Sequence, residues 1–338
     1  MVKTSFVGVI SLLPSWVSSY ALPELCTGVC VNTHDPSIIR RADGTYFRFS
    51  TGGKIAIHTA PSITGPWTYK GAALPGGSSI NIPGNQDLWA PAISGSSANN
   101  YYHLFYSVST FGSQTSAIGL ATSPTLDSGS NTWTDHGSIN LTSSPSTPYN
   151  AIDPSLIVDP GTQASHLVFG SFWRGIFILP LTTLPNSNPP RFTVQQSPSQ
   201  AIQLAFDPSD PAIEGPNIYF RDGFFYLFFS KGSCCGYDKS MPAKGKEYRI
   251  MVCRSAGVAG PYLDKQGKDC RSGGGTILLE SHGWVYGPGG QGVYEDQGGV
   301  GGAVLHYHYV DTRVGYQDGQ KRFGWNKLGW GDGGWPFV

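Results

Sequence analysis

The sequence has no excess of charge of either sign. It carries 22 Lys and Arg against 22 Asp and Glu, and only 13% of its residues are charged. A surface without a cationic excess has little with which to hold a run of phosphates, which argues against nucleic acid and anionic membranes as partners. Beyond the amino end no segment is apolar for long enough to suggest a transmembrane helix. No stretch keeps a 3.6-residue apolar period between caps, so helices should be few. Cys-x-x-Cys is absent, and none of the six cysteines has the spacing of a zinc site.

What is abundant points to β structure. Gly 45, Pro 25 and 13% aromatic residues suit a turn-rich β protein with many rings. The first residues read Met1-Val2-Lys3, then an apolar stretch from Ser5 to Leu13, then Ser19-Tyr20-Ala21. A basic start, an apolar middle and small residues before a cut describe a secretory signal peptide over residues 1–21, with Leu22 as the mature start. The mature chain, residues 22–338, is expected to be secreted, extracellular and a single domain. In an oxidising compartment Cys26, Cys30, Cys234, Cys235, Cys253 and Cys270 should form disulfides. Cys253 and Cys270 flank a turn-rich excursion and form the preferred pair. Adjacent Cys234 and Cys235 either close on each other or pair elsewhere. Asn140-Leu141-Thr142 is a glycosylation sequon.

Three segments share an outline of a short strand, a tight turn and a second strand rich in aromatics. They begin at Asp35-Pro36-Ser37, Asp153-Pro154-Ser155 and Glu214-Gly215-Pro216. Two looser copies begin near Leu88-Trp89-Ala90-Pro91 and Gly287-Pro288-Gly289-Gly290. Five units spaced roughly 50 to 75 residues apart fit four-stranded propeller blades. The expected fold is therefore all-β, a five-bladed β-propeller; short alternating strands would also suit a β-sandwich, but five similar starts favour radial repetition.

In a propeller the inner strands run beside one axis, so residues at their equivalent ends converge on one face. Asp35, Asp153 and Glu214 are expected at one shared position in three blades. Asp-Pro alone is weak evidence, because aspartate and proline commonly make turns. Asp159-Pro160 and Asp207-Pro208 are read as such turns. Three acids in one register, with Trp89 and Gly289 standing near that place in the other blades, describe an asymmetric catalytic site better than a repeated binding motif.

His34-Asp35-Pro36-Ser37-Ile38, Asp87-Leu88-Trp89-Ala90-Pro91, Ile152-Asp153-Pro154-Ser155, Gly170-Ser171-Phe172-Trp173-Arg174-Gly175-Ile176 and Glu214-Gly215-Pro216 closely resemble glycoside hydrolase family 43, and within it the fungal endo-1,5-α-L-arabinanases. The resemblance spans about Thr33 to Val338. It implies an inverting hydrolase of plant cell-wall arabinan in which Asp35 is the general base, Glu214 the general acid and Asp153 the carboxylate that tunes the acid. Inversion needs one acid and one base with room for water between them, roughly 6.5 to 9.5 Å. The acid's pKa must be raised, which a nearby negative charge achieves.

By the same resemblance Trp89 and Trp173 stack on furanose rings and Phe111 forms an aromatic wall. Asn150, Gly170 and Ser171 bond sugar hydroxyls, and His308 meets an ion on the axis, with calcium first and sodium or chloride as alternatives. No cofactor is required for the chemistry. Where the family often carries Gly-Pro-Gly-His, this chain reads Gly287-Pro288-Gly289-Gly290. The segment from Gly232 to Tyr248 is expected to rim the cleft. A propeller with short protected edges has no need to associate, so a monomer is expected. Competing functions are an exo-acting α-L-arabinofuranosidase or β-xylosidase of the same family, and a non-catalytic carbohydrate-binding propeller.

Overall fold

The computed structural model describes residues 20–96, 101–129, 132–194 and 200–338. The expected leader lies outside these residues except for Tyr20 and Ala21, which rest against His282. The chain is built from strands, with three-residue 3-10 turns and no α-helix among the described residues. No helix there is long and apolar enough to cross a membrane.

Blade one contains β1 (Ser37–Arg40), β2 (Tyr46–Ser50), β3 (Ala56–Ala60) and β4 (Thr68–Ala72). Blade two contains β5 (Leu88–Ser96), β6 (Tyr101–Val108), β7 (Ser116–Ser123) and β8 (Thr134–Ser143). Blade three has β9 (Ser155–Val158), β10 (Ser165–Phe169) and β11 (Ile176–Pro180). A small ribbon of β12 (Thr182–Thr183) with β13 (Phe192–Thr193) follows, before β14 (Ile202–Ala205) completes the blade. Blade four runs through β15 (Ile213–Arg221), β16 (Phe224–Lys231), β17 (Arg249–Ser255) and β18 (Thr276–Leu279). Blade five holds β19 (Val285–Glu295), β20 (Ala303–Asp311) and β21 (Arg322–Lys327), with β22 (Gly329–Trp330) pairing β23 (Pro336–Phe337) beyond it. Each blade is an antiparallel sheet whose first strand is innermost.

The apolar cores lie between blades rather than within them. Phe49 and Ile57 of blade one pack with Leu104 and Val108 of blade two, and Phe105 of blade two with Phe169 of blade three. Val168 joins Leu227, Tyr226 joins Leu305, and Val304 with Trp325 joins Ile38 and Trp67 of blade one. Five shared cores make a closed ring, an arrangement that a two-sheet sandwich does not have. Each fully buried large side chain in these seams contributes about 1.5–3 kcal/mol through removal from water.

The ring closes by a latch at the amino end. Residues 22–33 run along β21, with Glu24 N–H donating to Trp325, Phe323 N–H to Cys30 and Thr33 N–H to Lys321. Asn326 and Trp325 bond the Leu22 and Leu25 carbonyls with their side chains. This segment takes the place of a fourth strand in blade five. Disulfides join Cys26 to Cys30, Cys253 to Cys270 as expected, and Cys234 to its neighbour Cys235.

Candidate active site

The inner strands leave a channel of about 190 Å³ along the axis, lined by residues of all five blades. At its mouth the blades begin alike. Asp35 (φ 43°), Ala90 (44°), Asp153 (57°), Gly215 (61°) and Gly290 (57°) are all left-handed. That conformation costs a non-glycine residue about 1–2 kcal/mol, so the fold must hold it in place. It does so by binding the N–H of each residue with a side chain. Asp35 N–H donates to His308 Nδ1 (3.1 Å), Ala90 N–H to Thr51 Oγ1 (2.8 Å), Asp153 N–H to Ser107 Oγ (3.0 Å) and Gly290 N–H to Ser230 Oγ (2.9 Å). In blade four the acceptor is a carboxylate, Gly215 N–H donating to Asp153 Oδ2 at 3.1 Å.

This pattern corrects one expectation. Asp35 and Asp153 share a register, but the residue matching them in blade four is Gly215. Glu214 stands one residue earlier. The offset follows from local structure: Glu214 still pairs with Ser230 in the sheet, and the ladder breaks only after it, across Gly215 and Pro216. Ser171, at the end of blade three's second strand, is thereby free to donate to Glu214 Oε2 at 2.6 Å. Asp159 and Asp207 accept from Gly161 N–H and Ser209 N–H respectively, as ordinary turn aspartates do.

Asp35 is the open carboxylate of the three. Its side chain is 32% exposed, and Thr51 donates to Oδ2 at 2.7 Å. Thr51 therefore braces Asp35 and Ala90 together. Glu214 is almost fully buried; Ser171 holds one oxygen and Tyr248 donates to the other at 2.9 Å. Burial pushes its carboxyl up, against the pull of those two hydroxyls and with help from Asp35. Asp153 keeps part of its surface open to the cleft, yet burial, then repulsion from Glu214 and Asp35, pushes its carboxyl well above the usual carboxylate range. Only the Gly215 N–H opposes that rise. Both carboxyls are thus displaced towards their protonated forms, and Asp153 has fewer donors to oppose the rise.

The other expected residues divide. Trp89 is partly buried, its Nε1 donating to Asp87 at 3.0 Å. Phe111 is 86% exposed and Trp173 37% exposed, both available to a ligand. Asn150 is a buried strut whose side-chain oxygen accepts from Ser116 and Ser143. Ser171 serves Glu214, and Gly170 (φ 123°) allows Gly175 to pass, since a Cβ there would meet its carbonyl at 2.3 Å. The Gly232 to Tyr248 segment, expected to rim the cleft, brings Tyr248 onto Glu214. The sequence reading passed over Thr51, Ser107 and Ser230, although a hydroxyl residue near the end of those second strands was a visible trace, and over Tyr248, which left none.

Gly290 explains the altered loop of blade five. A Cβ on it would lie 2.4 Å from Asp35 Oδ1 and 2.6 Å from His308 Nδ1. His308 is buried and stacks on Tyr248 at 5.8 Å. Burial, and then the charge of Lys321, holds its pKa well below the usual histidine range. The neutral ring accepts from Asp35 at Nδ1, so its proton sits on Nε2, which has no partner among the described residues. An Nε2–H does not fit calcium or sodium, which need a lone pair there; it fits an acceptor such as water or chloride. No group of three or more His, Cys, Asp or Glu among the described residues is arranged to hold a metal.

Known proteins agree with this architecture. A probable arabinan endo-1,5-alpha-L-arabinosidase A of Aspergillus clavatus is 54% identical over 340 residues, covering 100% of both chains. An arabinan endo-1,5-alpha-L-arabinosidase A of Aspergillus niger is 51% identical over 334 residues, covering 98% of each. The solved GH43 endo-arabinanase of Bacillus licheniformis superposes with a TM-score of 0.76 at 33% identity, over 93% of this chain and 99% of that one. The family model of glycosyl hydrolases family 43 matches residues 29–336, a span that takes in all five blades, and the chain belongs to that family.

Proposed function

We propose that this glycoside hydrolase is secreted and cuts internal α-1,5-L-arabinofuranosidic bonds of arabinan with inversion. The observation that supports the mechanism is that Asp153 Oδ2 accepts from the N–H of Gly215, the residue next to Glu214, beside an open Asp35. Asp35 takes a proton from water as its oxygen attacks the anomeric carbon. The glycosidic carbon–oxygen bond breaks, and Glu214 gives its proton to the departing O5. Asp153 keeps a proton on the pair near neutral pH, because the second charge would have to enter a crowded, poorly solvated site. As Glu214 gives up its proton, the hydroxyls of Ser171 and Tyr248 donate to the carboxylate it becomes. Phe111 and Trp173 offer rings for furanose faces. The sequence relationship to the fungal arabinanases supports the choice of polymer.

The experiment is chromatography of products from debranched arabinan over time. A ladder of arabino-oligosaccharides supports internal cutting. Arabinose alone from the outset means exo action, and no product overturns the substrate assignment.

A further inference from the structure

Lys321 has no part in the chemistry above, yet its side chain is fully buried. Its ammonium donates to the Cys234 carbonyl at 2.5 Å and lies 3.4 Å from both Cys235 Sγ and Asp318 Oδ1. The Tyr237 ring centre is 5.6 Å away. Its backbone carbonyl accepts from Thr33 N–H at 3.1 Å, two residues before Asp35. One residue thus joins the approach to the base, the loop that delivers Tyr248 to the acid, and the last turn before β21.

Taking an ammonium out of water costs several kcal/mol unless opposite charge lies close. Asp318 supplies part of that charge, but it is 42% exposed. The remainder comes from the cleft: Asp35 and Glu214 both stabilise the ammonium, although burial still draws its pKa down. The influence is mutual, and Lys321 pulls the Glu214 carboxyl downward against burial. The ionisable groups around this centre are Asp35 and His34 before β1, Glu214 on β15, Tyr237 and Tyr248 in the loop, His308 on β20, and Asp318. Of these, His34 and His308 are held neutral by burial and by the same ammonium.

We infer that Lys321 is a positioning residue of the hydrolytic centre, a buried counter-charge for its carboxylates that also ties the Tyr248 loop to the Asp35 strand. The inference rests on the carboxylate roles proposed above. It separates this lysine from an ordinary structural strut, because a strut would hold the loop whether or not it were charged.

The test compares Lys321→Gln, whose amide still reaches the Cys234 carbonyl without a charge, with Lys321→Arg, which keeps the charge. Lys321→Met serves as a second neutral variant should the first fail to fold. In the neutral variant the alkaline limb of kcat/KM is expected to move to higher pH, since Glu214 loses a cation that favours its ionised form. Activity on the alkaline side, relative to the optimum, then rises on the order of threefold. Lys321→Arg leaves the limb in place even if kcat falls. Equal losses in both variants with an unmoved limb overturn the inference.

A second measurement needs no substrate. The side-chain carboxyl carbon of Glu214, assigned by its loss in Glu214→Gln, is titrated by 13C NMR in the empty protein. A higher midpoint in the neutral variant supports the inference, and an unchanged one ends it. If wild-type protein leaves arabinan uncut, the substrate reading falls while this titration still decides the role of Lys321.

Discussion

The backbone N–H of Asp35 donates to Nδ1 of His308 across 3.1 Å, and this bond ties the start of blade one to the second strand of blade five. It fixes the imidazole tautomer and holds Asp35 in its left-handed conformation. His308→Phe keeps a ring to stack on Tyr248 but removes the acceptor. We predict that kcat falls at least about tenfold, with KM changed much less, because a 1 kcal/mol-scale loss at this buried bond displaces the base rather than the sugar contacts. Steady-state kinetics on arabinan checks this; a normal kcat would show that Asp35 needs no such support.

Asp35→Ala and Glu214→Ala should each cost about 10²–10⁴-fold in kcat on arabinan while the fold persists. An aryl arabinoside with an acidic phenol leaves without protonation, so Glu214→Ala should recover much of its rate there. Asp35→Ala should not. Matching relative rates for the two variants on both substrates would refute the division into acid and base.

Asp153→Asn removes one of two carboxyls whose charges repel. A lone Glu214, held by two hydroxyl donors, ionises more readily than the pair. The alkaline limb of kcat/KM should therefore move to lower pH, while the acidic limb moves less. The profile and Tm are measured together: a lower Tm with an unmoved limb would make Asp153 a scaffold residue.

Gly290→Ala places a methyl group where Asp35 Oδ1 and His308 already stand. It also puts a side chain on left-handed backbone. We expect a loss of about 1–3 kcal/mol in stability and a larger proportional loss of kcat, since relief must come through movement of Asp35 or His308. Denaturant unfolding and kinetics on the same preparation test this, and near-wild-type values for both would mean that the loop yields freely.

The fold was legible because propeller blades repeat, and repetition turns five weak outlines into one strong pattern. Asp35 and Asp153 were legible for the same reason, each marked by a following proline. Glu214 was found but misplaced by one residue, because the proline that marks blade four follows Gly215 instead. Tyr248 and Lys321 left no pattern to read. Each reaches the centre from a blade-specific segment, where a long side chain crosses from a loop or strand end, and sequence spacing does not encode such crossings. His308 was noticed, but its tautomer depended on a backbone donor more than two hundred residues away in the chain.

The latch of residues 22–33 on β21 has a consequence in time. The segment translated among the first must wait, unpaired, until nearly the last strand has left the ribosome, some 300 positions later as with Leu25 and Trp325. Contacts so distant in sequence make closure slow. Until then His308 is not yet beside Asp35, so in a half-made ring nothing holds Asp35 in its left-handed conformation. The enzyme gains its catalytic arrangement in a single closing event, and mechanical or chemical loosening of that seam should silence it before the other four blades begin to unfold.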